Sequence, residues 1–483
     1  MTRTKRLAVL LPLLPLLALA ACGGSKSSAP TCSTGEVKAD VLTLAKDWYL
    51  WRDELVAVDA GAYTDPAAYL DALTATTRTE KKDRHFSFLT TKTASTAYFQ
   101  EGQNLGYGFG IDTRGSQLFV AQTFPASAVA GAGIARGDKL VAIATATDGL
   151  GAAAAQVSEI LRRASADPAK DPTADPAALS KALGSGVVST RAFRVKKLAG
   201  STVDLTMTSA IYNLDPVPGA ASPTVLTVGT HQVGYLPLRT FISPAEDSLR
   251  AVAGAFKTAG VTDLIVDLRY NGGGLLATAG VLVDLLGGAR TSADVAWSWK
   301  TNPSHGGDFS TVHFGAEPNA LSPGRVAFIL RGGSASASEL VVNVLQPYLA
   351  KAGGPQDLAI IGARSYGKPV GQMGFDRSEC DWLLMLISFQ LLNADGTGDY
   401  FGGLPDANYR GGSCLADDDL GHPMGDPAEA STAAALNWIG GGACAGGPIL
   451  PASAALLSQR RAEREAFEAS APTLAQRQIA GLY

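Results

Sequence analysis

The chain has 483 residues, of which 46% are hydrophobic and 17% charged, with a formal net charge of −4 at pH 7. This length exceeds one ordinary hydrophobic core and predicts two or three domains. A mildly acidic chain gives no support for nucleic-acid binding, so we expect no nucleic-acid partner. The five histidines are scattered and no Cys/His cluster has the spacing of a zinc site, which predicts no metal.

The first 21 residues have the composition of a secretory signal, in which three basic residues precede the apolar segment Leu7 to Leu17. Leu19-Ala20-Ala21-Cys22 resembles a bacterial lipobox, where cleavage precedes a cysteine that carries the lipid. The glycines after Cys22 replace the Asp that retains lipoproteins in the inner membrane. We therefore expect a lipid-anchored protein of the bacterial cell envelope, at the outer membrane facing the periplasm. An ordinary secretory signal cut nearby is the alternative.

Four further cysteines remain after the lipid site, namely Cys32, Cys380, Cys414 and Cys444. An even number of cysteines in an exported protein permits two disulfides, and four cysteines allow three pairings. The sequence does not choose among these pairings.

Two segments precede the first β pattern. Residues 22–35 are rich in Gly, Ser, Lys and Pro and predict a tether. Residues 36–103 show apolar positions at helical spacing and predict a small, mostly helical region. This region contains His85 near Asp83, but a histidine in a half-buried strand is more often structural, and we assign it no catalytic role.

Residues 104–211 predict a β domain with one helix and a solvated insertion from Asp167 to Pro176. The stretch Gly106-Tyr107-Gly108-Phe109, followed by Pro-Ala-Ser-Ala and Gly-Asp-Lys-Leu, resembles a PDZ domain of the bacterial protease type. The resemblance implies that the backbone amides of residues 106–109 capture a peptide C-terminal carboxylate while the peptide adds to the sheet edge. A generic small β domain is the alternative.

Residues 212–445 alternate between strand and helix patterns, which predicts an α/β core. Apolar runs predict strands at 233–238, 263–269, 326–330 and 358–362. Helices are expected at 248–259 and 275–286, and after the third of these strands. Residues 446–483 predict a solvated tail, with an assembly helix as the less favoured alternative.

Between the third strand and its helix lies Gly332-Gly333-Ser334-Ala335-Ser336-Ala337-Ser338-Glu339. A strand that turns through small residues into a helix N-terminus can present a hydroxyl and leaves backbone N–H groups free to face an anion. The run is therefore a candidate for a nucleophilic serine. Taken alone, it is more often a small-residue turn in which Ser338 caps the helix.

A second informative stretch is Asp267-Leu268-Arg269-Tyr270-Asn271-Gly272-Gly273-Gly274, which places three glycines between a strand and a helix. Such a loop can approach a ligand with its N–H groups forward. A phosphate loop is the rival, but neither Gly-Lys-Ser/Thr nor Gly-x-Gly-x-x-Gly is present. An oxyanion hole suits this loop better in an exported protein.

The third stretch contains Lys368, which follows a glycine shortly after the fourth strand, so that its amine can be held near the sheet. A general base near neutral pH needs a lysine pKa lowered from about 10.4 to about 7–8, which burial can supply. A solvated loop lysine is the alternative. Because no Gly-x-Ser-x-Gly motif occurs, a Ser–Lys pair fits better than a Ser-His-Asp triad.

Together, Asp-Leu-Arg-x-Asn-Gly-Gly-Gly, Ser-Ala-Ser-Ala-Ser-Glu and Gly-Lys-x-x-x-Gln resemble the motifs of the carboxyl-terminal-processing (tail-specific) serine peptidases. The resemblance covers about residues 36–440. It implies an α/β multidomain fold with a small helical N-terminal region, a PDZ-like β domain and an α/β core of the crotonase/ClpP-like type.

By the same resemblance, Ser336 is the nucleophile, Lys368 the general base and Gln372 the residue that orients the base. The oxyanion hole would combine the backbone N–H of Ala337 with one from Gly272 or Gly273. Of the two other serines in the run, Ser338 would cap the helix and Ser334 would be a turn residue.

The implied reaction is acyl transfer without a cofactor, on exported proteins presented by their C-terminal tails. An adaptor or a homo-oligomer is left open. Two alternatives remain: a catalytically silent lipoprotein of the same fold that binds peptide C-termini or an apolar ligand, and a hydrolase that uses the same dyad on esters.

Overall fold

A computed structural model describes residues 32–151, 154–166, 170–175, 177–288, 290–306, 311–350, 357–449 and 474–478. The signal segment, Cys22, most of the tether and most of the tail lie outside the described residues. No helix within the described ranges is long and apolar enough to cross a bilayer.

The N-terminal region is helical, as predicted, and begins with a capping box in which Ser33 and Glu36 exchange hydrogen bonds. Its helices are α1 (Thr34–Trp48), α2 (Pro66–Leu73), α3 (Ala75–Thr79) and α4 (Lys92–Phe99). The structure adds a strand, β1 (Phe88–Thr91), which pairs antiparallel with a strand of the α/β core about 300 residues later in the chain. The region is therefore built into the core rather than appended to it.

The β domain contains two sheets. A ribbon of β2 (Gln103–Gly106) and β9 (Ala210–Asn213) joins it to the rest of the chain. The main sheet has the order β3-β4-β5-β7-β8, with β6 on β5. Its strands are β3 (Phe109–Arg114), β4 (Gln117–Thr123), β5 (Lys139–Thr145), β6 (Ala155–Gln156), β7 (Thr190–Lys196) and β8 (Thr202–Thr208).

The prediction of one helix in the β domain was wrong. Besides α6 (Val157–Ser165), the structure has α5 (Val129–Ala132) and α7 (Ala178–Leu183). Both are too short to show helical periodicity in the sequence. Leu179 and Leu183 of α7 are buried in the domain core, so tertiary packing stabilises this helix.

The core sheet has the order β10-β11-β12-β15-β16-β19, and every neighbouring pair except β10–β11 is parallel. Its strands are β10 (Thr224–Val228), β11 (His231–Pro237), β12 (Asp263–Asp267), β15 (Val326–Leu330), β16 (Leu358–Gly362) and β19 (Gly412–Leu415). The flanking helices are α8 (Ala245–Thr258), α9 (Leu276–Leu286), α10 (Ala337–Leu349) and α11 (Ala430–Ile439). The four predicted strands are confirmed as β11, β12, β15 and β16; the last three are wholly buried, as expected for a parallel sheet covered on both faces.

A second sheet of the core has the order β1-β18-β13-β14, with β17 on β18. Its core strands are β13 (Val295–Thr301), β14 (Val312–His313), β17 (Val370–Asp376) and β18 (Trp382–Leu392). The disulfides, whose pairing the sequence left open, are Cys32–Cys380 and Cys414–Cys444. The first one ties the start of the N-terminal region to the turn between β17 and β18.

The parallel core sheet brings the three sequence motifs together. Strands β12, β15 and β16 are adjacent and parallel, so their carboxyl ends lie along one edge of the sheet. The glycine loop follows β12, the serine run follows β15 and the Lys368 segment follows β16. A last helix, α12 (Leu474–Gln478), also packs near this edge, so the prediction of a solvated tail was wrong for these five residues, of which Leu474 and Ala475 are buried.

Candidate active site

Ser336 is the N-cap of α10 and has a φ of 56°, a backbone conformation that residues other than glycine rarely adopt. Three of the four non-glycine residues with positive φ in the described chain, His85, Tyr270 and Ser336, lie in the segments that meet here. Such backbone conformations cost about 1–3 kcal/mol each and cluster at functional sites. The strained turn directs Ser336 away from the regular helix and leaves it only partly buried.

The glycine loop is fastened to the serine run through Asn271. The Asn271 carbonyl accepts hydrogen bonds from Ala335 N at 3.1 Å and from Ser338 Oγ at 2.9 Å. At Gly273 the φ is 111°, and an added Cβ would lie 2.7 Å from the Cβ of Ser336. Only a glycine therefore lets the loop come this close to the serine.

The loop and the helix offer two candidate oxyanion donors. Gly273 N already donates to Asn271 Oδ1 at 2.9 Å, so of the two predicted loop amides Gly272 is the one directed elsewhere. In the first turn of α10, Ala337 N has no intrahelical acceptor because of its position. Gly272 and Ala337 are therefore the candidate oxyanion donors, although Gly272 N donates to the carbonyl oxygen of Gln478 at 2.6 Å in this structure.

The prediction that Ser338 caps α10 was wrong, because the N-cap is Ser336, two residues earlier, and the helix begins at Ala337. Ser338 is instead fully buried in the first turn and donates to Asn271 O. Ser334 is a turn residue, as expected, and its hydroxyl donates to Leu268 O at 2.8 Å. Both hydroxyls are committed to backbone carbonyls, and Ser336 is the one serine of the run whose hydroxyl has no such carbonyl partner within the described residues.

Glu339 joins the serine run to the Lys368 segment, a role that sequence reasoning missed. Its Oε2 accepts from Ser336 N at 2.9 Å and from Lys368 N at 2.8 Å. Its Oε1 accepts from Ser365 Oγ and Gly367 N, each at 2.5 Å. Burial raises the pKa of this carboxyl, while the four donors favour its charged form. One buried carboxylate therefore sets the positions of both segments.

Lys368 is buried, with 9% of its surface exposed. Its Nζ donates to Gln372 Oε1 at 2.8 Å, and Gln372 lies on β17. Burial, with a smaller contribution from the Arg477 guanidinium, lowers the pKa of Lys368 to about 8. No hydrogen bond among the described residues joins Lys368 to Ser336, and in the absence of substrate such catalytic bonds are often long.

The N-terminal region supplies part of this site, which the sequence analysis did not anticipate. Phe86 O accepts from Gln372 Nε2 at 2.6 Å, and the Phe86 ring centroid lies 4.8 Å from Lys368 Nζ. Arg84 donates to the carbonyls of Tyr366 and Gly367, immediately before the lysine. Buried Asp83 holds this segment by accepting from Phe86 N at 2.7 Å. The imidazole of His85 is exposed and lies beside Arg78 and Asp71.

Replacing Lys368 with methionine is expected to raise the free energy of unfolding at pH 7 by about 1–2 kcal/mol. The lowered pKa corresponds to roughly 3 kcal/mol of disfavoured ammonium, partly offset by the lost bond to Gln372. Between pH 8 and 10.5 the unfolded chain binds more protons at this position, so wild-type stability rises with pH and the advantage of the variant shrinks. Urea unfolding at pH 7 and pH 10 checks this.

The matched control for this experiment is Lys300→Met, which replaces an exposed lysine on β13. Its stability should change by less than about 0.5 kcal/mol at both pH values. If the Lys368→Met variant is no more stable than wild type at pH 7, the interactions of the buried ammonium offset the cost of its burial.

The predicted carboxylate-binding residues lie between β2 and β3. Gly106 ends β2 and Phe109 begins β3, which is an edge strand of its sheet. The side chains of Tyr107 and Phe109 are buried in the domain core, so only the backbone of this turn can meet a ligand. At Gly108 an added Cβ would overlap Ser127 Oγ, which explains the glycine.

The β domain is held to the core near the glycine loop by buried charges. Arg136 Nη2 lies 2.5 Å from Asp418 Oδ1, and Arg269 Nη1 reaches the same carboxylate at 2.8 Å. The arginines favour the ionised form and hold the pKa of Asp418 at about 2. Within the described ranges no group of three or more His, Cys, Asp or Glu residues is placed to hold a metal ion.

Comparison with known families agrees with this architecture. Residues 232–406 match peptidase family S41, and residues 36–88 match the peptidase S41 N-terminal domain. The chain therefore contains a peptidase family S41 domain together with the N-terminal domain of that family, which supports a serine peptidase. The N-terminal match ends at the segment that reaches Lys368 and Gln372.

Similar solved structures include one with a TM-score above 0.5, which shows the same fold. An S41 protease from Bacteroides fragilis has 20% identity and a TM-score of 0.58, with 83% of this chain and 97% of that chain covered. The photosystem II D1 C-terminal processing protease has 16% identity and a TM-score of 0.44, over 77% and 92%. Mature CPAF complexed with lactacystin has 12% identity and a TM-score of 0.42, over the same shares. No curated protein matches the chain.

Proposed function

We propose that the chain is a serine endopeptidase that cleaves exported proteins with a Ser336–Lys368 dyad. The observation that carries the proposal is the buried carboxylate of Glu339, which accepts from the backbone N–H of both residues. A carboxylate buried with four donors costs much desolvation and needs a reason. Fixing the backbone of a strained serine and of a lysine with a lowered pKa in one site is such a reason.

In the proposed reaction, neutral Lys368 takes the proton of Ser336 Oγ as this oxygen attacks the scissile carbonyl. The N–H groups of Ala337 and Gly272 receive the charge that develops on the carbonyl oxygen. Gln372, held by Phe86 O, keeps the amine in place. Lys368 returns the proton to the leaving amine, and water then releases the acyl-enzyme by the same route.

The proposal predicts that kcat/KM rises about tenfold between pH 7 and pH 9. Only the neutral amine accepts a proton, and with a pKa of about 8 roughly a tenth of Lys368 is neutral at pH 7. Cleavage of β-casein, an unstructured test protein, followed from pH 6 to pH 10 with Ser336→Ala as the blank, measures the profile. A flat profile over this range would exclude Lys368 as the base.

We further propose that the β domain selects substrates by their C-terminal tails. Edge strand β3 follows directly on the turn of residues 106–109, an arrangement suited to adding a peptide as a strand with its carboxylate at the turn. In the same cleavage assay, one test protein is given either a nonpolar or an acidic C-terminal tail. We expect a higher kcat/KM for the protein with the nonpolar tail. A wild-type chain that binds such tails but never cleaves would instead be a catalytically silent binding protein.

The site of action is proposed from the sequence. Cys22, after a signal-like segment, would carry the lipid that anchors the protein in the bacterial cell envelope. Substrates would then be proteins already exported. Cys22→Ser should release the protein from the membrane fraction without changing its activity on casein.

A further inference from the structure

Helix α12 at the end of the chain lies against the proposed oxyanion hole. Gly272 N, the loop amide available to an oxyanion, donates to the carbonyl oxygen of Gln478 at 2.6 Å. A Cβ added at Gly272 would lie 2.9 Å from Arg477 O and 3.0 Å from Gln478 O. The tail backbone therefore approaches the loop as closely as a bound peptide would.

Apolar contacts of Leu474 and Ala475 hold the helix against the rest of the protein. Leu474 and Ala475 are 8% and 3% exposed, in a cluster formed by all three parts of the protein. The cluster includes Phe99 of α4, Phe124 of the β domain and Ile242 of the core. Burial of a leucine in such a cluster is worth about 1.5–3 kcal/mol. A five-residue helix is unstable alone, so these contacts hold it in place.

Arg477 adds a polar clamp next to the lysine. Its Nη1 donates to His85 O at 3.0 Å, and its guanidinium carbon lies 3.9 Å from the centroid of the Phe88 ring. Both partners flank the N-terminal segment that supports Lys368 and Gln372. The same guanidinium contributes to the low pKa of Lys368, which places its charge within electrostatic reach of the amine.

We propose that residues 474–478 are an intramolecular inhibitor that occupies the substrate site of this peptidase. The Gln478 carbonyl uses the hydrogen-bond donor that a scissile carbonyl would need, and Leu474 packs into the apolar cluster of Phe99, Phe124 and Ile242. Because the segment is helical, it does not present an extended strand like a peptide added to a sheet edge. The tail therefore blocks the site rather than serving as a substrate. The inhibitory consequence rests on the proposed peptidase function, whereas the occupancy does not.

The first test displaces the tail in the full chain with the double substitution Leu474→Asp and Ala475→Asp. Two carboxylates cannot stay in an apolar cluster, so kcat/KM on β-casein should rise at least tenfold. The matched control Leu415→Asp alters a leucine that is 48% exposed on β19 and should leave the rate unchanged. Arg477→Gln, which keeps the apolar residues Leu474 and Ala475, should also raise the rate at pH 10, where loss of the guanidinium charge no longer decides the protonation of Lys368. This variant tests the proposal even if the double variant misfolds.

The second test measures occupancy without catalysis. A fluorescent peptide of residues 474–483 should bind the double variant in trans and should not bind wild type, whose site is filled. The same peptide carrying the two aspartates is the control. Selective binding without casein cleavage by any form would support the tail contact and refute the peptidase function. Equal binding to both forms, or equal cleavage rates for both, would refute the inhibitory tail while leaving the peptidase function intact.

Discussion

Replacing Ser336 with alanine is expected to lower kcat for protein cleavage by about 10³-fold or more. Removal of a nucleophile leaves only oxyanion donors and substrate binding to assist the attack of water. Lys368→Ala should cost about as much, and the double variant hardly more, because the two residues act as a unit. Cleavage of β-casein at pH 9, where most wild-type Lys368 is neutral, measures all three variants under one condition.

The serine run supplies its own control for this experiment. Ser338→Ala removes one hydrogen bond, from Ser338 Oγ to Asn271 O, and keeps the backbone of the helix start. It should cost about 1 kcal/mol of stability and leave kcat within a few-fold of wild type. Full activity of Ser336→Ala, or loss of activity in Ser338→Ala alone, would show that Ser336 is not the nucleophile.

Replacing Glu339 with glutamine is expected to lower kcat by about 10²-fold and the free energy of unfolding by about 3 kcal/mol. The carboxylate accepts four hydrogen bonds, and an amide in its place puts an NH₂ group against two donors in either orientation. Glutamine would therefore no longer hold the backbone of Ser336 and the backbone of Lys368 in fixed positions relative to each other. Urea unfolding and kcat at 25 °C measure the two effects.

The pH profile separates positioning from simple destabilisation. The negative charge of Glu339 favours the ammonium of Lys368 and so raises its pKa; the neutral glutamine should move the rise of activity to lower pH. Glu317→Gln, which breaks an ion pair with Arg250 remote from the dyad, is the control and should leave the profile unchanged. An unshifted profile in Glu339→Gln would mean that the carboxylate acts on the fold alone.

The predictions that succeeded rest on strong local patterns. Strands β15 and β16 are continuous apolar runs and β12 has the apolar centre Leu264-Ile265-Val266, and such runs have few other places in a fold than a buried parallel sheet. Once the strands are adjacent and parallel, their carboxyl ends must converge. The sequence could therefore indicate that the glycine loop, the serine run and Lys368 meet at one edge.

The failures involve short elements and distant contacts. Helices α5 and α7 have four and six residues and carry no periodic signal. The choice of Ser336 over Ser338 as N-cap depends on the Asn271 carbonyl, which binds Ser338 from a loop after another strand. Propensity alone ranks the two serines equally.

The sequence by itself determined the class of protein: an α/β serine peptidase with three motifs in a characteristic order. Only the tertiary structure decided how these motifs work together, because Glu339, Phe86 and Gln478 act on residues far from them in the chain. Their roles arise from burial and close approach, which set the pKa of Lys368 and place a tail carbonyl on Gly272. Such contacts cannot be predicted from local residue patterns, because the energy of a buried polar group depends on the partners that folding brings to it.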